Sequence, residues 1–587
     1  MKITFTNTKG LKRAFTAVTA AAIMTTTLAG FTASADDEAA QTENSFSVSY
    51  NGHEVIKRQY TKEGQTNDFT YSDYYFDADP KAYDPSLATL SCVMTDASAT
   101  YIDGNDYSKG AQTVTDILDK IGFKDIFVND EYKAKPTADS VGCVIASKET
   151  TLGGKGAYII SVTVRSSEYQ KEWVSNVTLG KSGEAKGFSD SATKVKKCID
   201  DYISSREKLK KAVADGKAAI WFQGFSRGGA VANLTAKRCI DDYSKASVFA
   251  YCIAAPQGGI SSEERSDRDY RSIHNVINVN DLVPYVAPSF MGFKRYGVDH
   301  YVGDSSINEK DLLNGKFFMN NLSDNNGYVQ ATEHKLELVR KHIKEVAGSK
   351  SASAMPFNVQ NKHLDIGLHI PKIEDAATSL PTYRVICNFF NTISANLSRE
   401  EYVSSGLQDA AGRLVTFIFT GGDIRSLAQK VPMDKFVPEV IKLYFFRRLG
   451  SVNPITFLCP PAAVMQMLMI NTDDLIAAAQ AALSNNSELR EALKNYTNGF
   501  DQALKDVALL AKYGIKGFKD LDEIVTFFIN VPDILHNHAT AQYLGWLRAS
   551  DPWYEGEAVT AEHMDENRFK ITCKNENAED VTLAEAA

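Results

Sequence analysis

Residues 224–228 read Gly-Phe-Ser-Arg-Gly. A serine at the centre of GxSxG is the pattern of a nucleophile held in a sharp strand-to-helix turn, with small neighbours so that strand and helix can pass closely. The pattern is short, so context must support it. "AIWFQGF" (219–225) is a buried-strand pattern, and "AVANLTAKR" (230–238) has helical spacing. The alternative is a Gly-rich loop that only turns the chain or cradles phosphate. GxGxxG and GxxxxGK[ST], the motifs of that chemistry, are both absent from this stretch.

A nucleophilic serine needs a base, an acid to orient the base, and donors for the oxyanion. Where GxSxG forms such a nucleophile elbow, the chain order is Ser, Asp, His. Asp281, in "VINVNDLVPYVAP" (276–288), ends an apolar strand pattern 55 residues (281 − 226) after the serine. That is the end of the strand where such sheets place their sites. An Asp-led turn ahead of Pro284 explains the same residue equally well. The ten histidines leave the base open. Chain order removes His53 and His274, and His300 sits too near Asp281. His334, His363, His369, His536 and His538 remain. His334 lies in a charged helical pattern, whereas His536 and His538 precede the aromatic-rich "YLGWL".

The elements that must position these groups are legible. "AYIISVTV" (157–164), "AAIWFQGF" (218–225), "SVFAYCIA" (247–254) and "HNVINVN" (274–280) are near-continuous apolar runs of strand length. Strands covered on both faces look like this. Between the first two, Val195, Cys198, Ile199, Tyr202 and Ile203 recur at helical spacing, with Ser189 or Ser191 as the expected N-cap. Alternation of strand and helix predicts an α/β fold with a central, mostly parallel sheet. From about 346 to 530 the pattern becomes almost wholly helical. The expected division is a signal peptide over 1–35, a first part of the core over 36–345 and a helical insertion or cap over 346–530. A return to the core over 531–587 ends in an acidic tail. Residues 36–45 are polar and expected to be disordered.

The chain has 587 residues, 44% of them apolar, enough for a large core. Lys9, Lys12 and Arg13 precede a mildly apolar run that ends in Ala33-Ser34-Ala35. This predicts export, with cleavage after Ala35, to a secreted or envelope-associated location. The segment carries four of the positive charges, so its removal takes the net charge from −9 to −13. A chain this acidic, with no Lys/Arg-rich block, argues against nucleic acid as a partner. No later stretch reads as a spanning helix; "PITFLCPPAAVMQMLMI" (454–470) is too short and proline-rich. The eight cysteines show no zinc spacing. Cys198, Cys252 and Cys387 read as core residues on apolar faces, and the even count permits disulfides without requiring them.

The ordered series "VTVRSS", "EW", "GF", "GFSRGGAVANLTA", "APQGG" and "VNDLVPYVAP" resembles the class 3 lipase branch of the α/β-hydrolases, in a secreted bacterial subgroup with a helical insertion. The resemblance covers roughly residues 155–300. It implies an α/β-hydrolase fold in which Ser226 is the nucleophile and Asp281 the acid. The backbone N–H of Arg227 and Ser167, in the arginine-led turn, form the oxyanion hole, and Gly224 and Gly228 are the elbow glycines. In that subgroup a histidine shortly before "YLxWL" closes the site, which favours His538 over His334 and His536. Three positions depart from the family pattern. Ser166 replaces a glycine, Phe225 stands where a histidine is common, and Lys186 replaces a histidine before Gly187-Phe188. None removes a reacting group.

The expectation is therefore a secreted serine hydrolase of carboxylic esters working through an acyl-enzyme, with no cofactor and no metal. Its partners would be ester or lipid substrates, with transient contact at lipid surfaces. The rivals are a peptidase, thioesterase or glycan deacylase on the same three residues, or a non-catalytic binding protein on a hydrolase scaffold. If His538 is the base, residues 301–530 separate acid from base, as a lid or as an accessory domain.

Overall fold

A computed structural model describes residues 46–50, 53–62, 65–100, 107–132, 137, 139–167, 172–260, 270–278, 281, 283–285, 291–303, 333–347, 397–419, 433–451, 471–484, 487–515, 537–554, 569–574 and 580–586. The expected signal peptide, residues 36–45 and His536 lie outside them, as do His363, His369, Cys387 and Cys459. The described residues divide into two compact units. The larger holds those up to residue 303, the helix over 333–347 and those from 537 onward.

The larger unit is built on β4 (Lys124–Val128), β5 (Cys143–Leu152), β6 (Lys155–Val164), β7 (Ala218–Phe225), β8 (Ser247–Ile253), β10 (Ile273–Asn278) and β12 (Val298–Val302). The short strands β9 (Gly259–Ile260) and β11 (Phe293–Lys294) pair separately. The seven-stranded sheet has the order β12-β10-β8-β7-β6-β5-β4. Its neighbours from β6 to β12 run parallel, while β5 is antiparallel to both β6 and β4. This is the expected α/β architecture, with the GxSxG strand at the centre. Strands β1 (Phe46–Tyr50), β2 (His53–Lys62) and β3 (Gln65–Ser72) form a separate antiparallel sheet. Residues 569–574 and 580–586 pair as an antiparallel hairpin.

Every residue of β7 is buried. Trp221 packs against Phe76, at 5.6 Å between ring centroids, and its indole N–H donates to Ser91 Oγ at 2.9 Å. Burying a side chain of this size contributes roughly 1.5–3 kcal/mol. The polar Gln223 is tolerated because Thr163 Oγ1 donates to its carbonyl at 2.7 Å and its amide donates to Trp221 O at 3.0 Å.

The helices of this unit are α1 (Pro85–Ser98), α2 (Ser108–Lys120), α3 (Trp173–Asn176), α4 (Lys186–Ser204), α5 (Glu207–Ala214), α6 (Arg227–Asp242), α7 (Glu333–Ala347) and, after the other unit, the helix Thr540–Arg548. The helical stretch expected to be capped by Ser189 or Ser191 is two helices, α4 and α5, and the N-cap of α4 is Ala185, at least four residues earlier. Neither serine is the N-cap. Ser189 Oγ donates to Glu184 Oε2 and Ser191 Oγ to Gly187 O. The earlier start follows from packing: a Cβ at Gly187 would lie 2.0 Å from Ser175 O, so the first turn of α4 rests directly on α3. Val195, Ile199, Tyr202 and Ile203 are buried as their spacing predicts, but Cys198 is only half-buried.

The smaller unit contains α8 (Arg399–Ser404), α9 (Leu407–Phe419), α10 (Met433–Ser451), α11 (Thr472–Ser484), α12 (Ser487–Ala492) and α13 (Phe500–Ile515). We number the helix Thr540–Arg548 α14. This unit has its own core, including Phe417, Val440, Ala478, Tyr496 and Phe500. Asp506 is buried there with three donors: Arg413 Nε at 2.7 Å, Tyr496 OH at 2.8 Å and Gln502 Nε2 at 2.7 Å.

Candidate active site

Ser226 follows β7 and caps α6 with φ 55° and ψ −124°. A non-glycine residue there is strained by roughly 1–3 kcal/mol, and such strain persists only where the surroundings dictate it. The surroundings are explicit. A Cβ at Gly224 would lie 2.2 Å from Gly228 O, and one at Gly228 would lie 2.5 Å from Val164 O. Strand, turn and helix are in backbone contact at the two positions expected to be glycine. Ser226 N donates to Ile253 O at 2.9 Å, tying the turn to β8.

Asp281 follows β10 and its backbone N–H donates to Asn278 O at 3.0 Å. Its Oδ1 accepts from the Val283 N–H at 2.9 Å, and its Oδ2 lies 2.7 Å from His538 Nδ1. On its other side, His538 Nε2 is 2.8 Å from Ser226 Oγ. A carboxylate only accepts, so Nδ1 carries the imidazole proton and Nε2 is left to accept from the serine hydroxyl. The three side chains are 8%, 1% and 4% exposed for Ser226, Asp281 and His538, so the relay is nearly dry.

His538 enters from the loop before α14. Thr540 Oγ1 donates to Asp96 Oδ1 at 2.7 Å, fixing that loop to α1. Trp546 packs with Val339 and Ile343 of α7. Tyr543 OH donates to Asp281 Oδ2 at 2.7 Å and accepts from the Asn278 N–H at 3.1 Å. Phe225, noted as a departure from the family, lies with its ring centroid 4.9 Å from that of His538. Neither Tyr543 nor Phe225 is singled out for this role by sequence. The available signal is that "YLGWL" turns an aromatic residue back toward a histidine five positions earlier (543 − 538).

The other histidines sit elsewhere. His334 is exposed on α7. His274 Nδ1 faces His300 Nε2 at 2.9 Å across β10 and β12, and Tyr83 stacks on His300 at 4.1 Å. His274 Nε2 donates to Pro80 O at 2.9 Å, so its Nδ1 accepts from His300. Burial pushes the His300 imidazole down to about 4.

The arginine-led turn lies against the elbow, since Gly228 approaches both Val164 O and Arg165 O. Arg165 Nη2 and Glu172 Oε1 form a fully buried ion pair at 2.6 Å. Ser167 is buried, and Asn176 Nδ2 donates to its Oγ at 2.9 Å. The Arg227 side chain points into the layer between α3 and α4, donating from Nε to Ser175 Oγ at 2.9 Å and from Nη2 to Ser191 Oγ at 2.6 Å. Its backbone N–H belongs to the first residue of α6, where no intrahelical acceptor exists. Lys186, the third departure, pairs with Asp190 along α4. Among the described residues no group of His, Cys, Asp and Glu has the arrangement of a metal site.

Residues 161–291 match the family model for lipase (class 3). This segment runs from β6 through the elbow to Asp281. Solved structures similar to the chain include a fungal lipase–inhibitor complex described as a model for interfacial activation. It has 18% identity and a TM-score of 0.25, with 38% of this chain and 79% of that one covered. Another is Rhizomucor miehei lipase in complex with its propeptide, at 18% identity and a TM-score of 0.26, covering 49% and 81%. Comparison with curated proteins finds no match.

Proposed function

We propose that the protein is a serine hydrolase of carboxylic esters, lipase- or carboxylesterase-like. Ser226 Oγ attacks the acyl carbonyl while His538 Nε2 takes its proton. Asp281 holds the imidazole tautomer and stabilises its cation, and Tyr543 orients Asp281. The Arg227 N–H and Ser167 receive the oxyanion, each such donor contributing roughly 3 kcal/mol to the transition state. His538 then protonates the leaving alcohol, and water, activated by the same base, clears the acyl-enzyme. The observation that carries this reading is the run of two hydrogen bonds, 2.8 Å and 2.7 Å, from Ser226 through His538 to Asp281.

The proposal includes export of the chain with cleavage after Ala35, supported by the basic-then-apolar pattern of the N-terminus. Its substrates are esters or lipids, met in part at a lipid surface. On α10, Phe445, Phe446 and Leu449 are 39%, 64% and 47% exposed and share one stripe, an apolar face that supports contact with a lipid surface. Among the described residues no helix is long and apolar enough to cross a membrane.

The test is labelling by a fluorophosphonate, with Ser226→Ala as control. Labelling that survives the substitution refutes the nucleophile. A series of p-nitrophenyl esters of rising chain length then separates esterase from lipase, and turnover of thioesters or peptides alone would overturn the ester assignment. Phe446→Asp is expected to weaken binding to phosphatidylglycerol vesicles while leaving turnover of a soluble short-chain ester unchanged.

A further inference from the structure

His538 reaches Ser226 and Asp281 from a short loop, and that loop is held on both sides of the histidine. One residue before it, Asn537 O accepts from Asn278 Nδ2 of β10 at 3.4 Å. Two residues after it, Thr540 opens α14, whose N-cap, Ala539, makes no capping hydrogen bond through its side chain. The Thr540 hydroxyl is turned to α1 instead, donating to Asp96 Oδ1 at 2.7 Å. A carboxylate beside the first turn of a helix is favoured by the unpaired N–H groups and dipole there.

Asp96 is 3% exposed and gathers two further donors. Lys62 Nζ lies 2.9 Å from its Oδ1, and Tyr60 OH donates to its Oδ2 at 3.0 Å. Tyr60 and Lys62 are two apart on β2, so both face the same side of that strand. Against burial, the Lys62 charge and the hydrogen bonds from Thr540, Lys62 and Tyr60 hold the Asp96 carboxyl below its ordinary value. An ionised carboxylate only accepts, so the Thr540 hydroxyl must donate to it. At the other end of α14, Arg548 Nη2 and Tyr554 OH donate to Asp68 O of β3, at 2.7 Å and 3.2 Å. The hairpin of β2 and β3 therefore grips α14 near its start and at its end. All of these residues lie outside the segment 161–291 that matches the lipase family.

We propose that Asp96 is a positioning residue for His538, acting through Thr540, and that the N-terminal hairpin holding Asp96 thereby serves the reaction. The inference rests on the reading of His538 as the base. An imidazole that must meet Ser226 Oγ at 2.8 Å on one edge and Asp281 Oδ2 at 2.7 Å on the other tolerates little pivoting of its loop. A displacement of about 1 Å costs up to roughly a hundredfold in rate. A contact that served stability alone would move the melting temperature and leave turnover of the folded chain as it was.

The experiment compares the full chain with Thr540→Val, which keeps the branched shape and removes the donor. With both chains folded, kcat on a soluble ester is expected to fall roughly ten- to a hundredfold with KM little changed, and fluorophosphonate labelling to slow in proportion. Thr540→Ser restores the hydroxyl and is expected to recover most of both rates. Asp96→Ala is expected to lose as much as Thr540→Val, and the double variant no more than either, because the two groups act as one contact. A lowered melting temperature with kcat unchanged in Thr540→Val overturns the proposal. So does a Thr540→Ser chain as slow as Thr540→Val, or losses in the double variant that simply add. If Asp96→Ala fails to fold, the two Thr540 variants decide alone. An unsubstituted chain that does not label removes the hydrolase reading and this inference with it. One that labels no faster than Thr540→Val overturns the positioning role alone.

Discussion

At Ser226 the backbone takes a conformation that serine avoids, and everything nearby explains why it stays there: two glycines in backbone contact and an N–H tied to β8. Ser226 was readable from a local pattern, the GxSxG turn, whereas Asp281 at a strand's end was raised above a plain turn only by the family resemblance. The histidine was not legible in local spacing, since it lies 312 residues from the serine; it was the family resemblance that favoured His538 over His334 and His536. Tyr543 was missed for a related reason, as a tyrosine in an aromatic helix reads as core. It is fully buried, yet its hydroxyl is spent on Asp281 Oδ2. Tyr543→Phe keeps the packing and removes that donor. Turnover of a soluble ester should fall about tenfold, equivalent to about 1.4 kcal/mol, with KM little changed. A fall in thermal stability with turnover intact would mean that the hydroxyl serves packing alone. His538→Ala should lower turnover by several orders of magnitude, and His334→Ala should leave it unchanged.

The elements were legible where burial is two-sided. All of β7 is covered, so its run is apolar but for Gln223, and its limits agree with the sequence reading. The start of α4 was misjudged because capping by Ser189 or Ser191 is a local preference. The close approach of Gly187 to Ser175 O overrides it, and that contact exists only once α3 and α4 are folded together. The same kind of contact makes the elbow fragile. In Gly228→Ala the new methyl would meet Val164 O at 2.5 Å, and neither backbone can yield without shifting the turn. The variant should lose about 2 kcal/mol of stability or more, measured by urea unfolding, and should lose activity before it unfolds. Stability within about 0.5 kcal/mol of the parent would show that β6 and α6 can separate at little cost.

At the scale of the whole molecule, two buried groups contribute opposing responses to pH. Asp551 accepts from Ser86 Oγ at 2.8 Å and from the Trp553 N–H at 3.1 Å, tying the segment after α14 to the start of α1. Burial raises its carboxyl from 3.8 to about 7, so the folded chain keeps a proton that the unfolded chain has already lost. Its contribution is full below pH 3.8 and is lost as pH rises through about 7. His300 acts in the other direction. Its value is lowered from 6.5 to about 4, so stability is retained above pH 6.5 and falls as pH drops toward 4. Between these limits the two slopes oppose each other, and above pH 6.5 the His300 change is complete while the Asp551 loss continues. Asp551→Asn keeps acceptor oxygen for both donors and removes the proton. Its melting temperature relative to the parent should rise between pH 5 and pH 8, by roughly 5 °C. A gap independent of pH would show that Asp551 is not protonated in the folded chain.

The separation of 312 residues between Ser226 and His538 also has a consequence in time. A ribosome completes the nucleophile and its acid long before it adds the histidine and the helix that seats it. Under the proposed chemistry the growing polypeptide carries a serine with no base. Fragments that end before residue 537 should be as silent toward fluorophosphonates as Ser226→Ala, even where the sheet has formed. The chain would thus remain inert toward the lipids of the cell that makes it until its closing segment is in place, without a separate inhibitor.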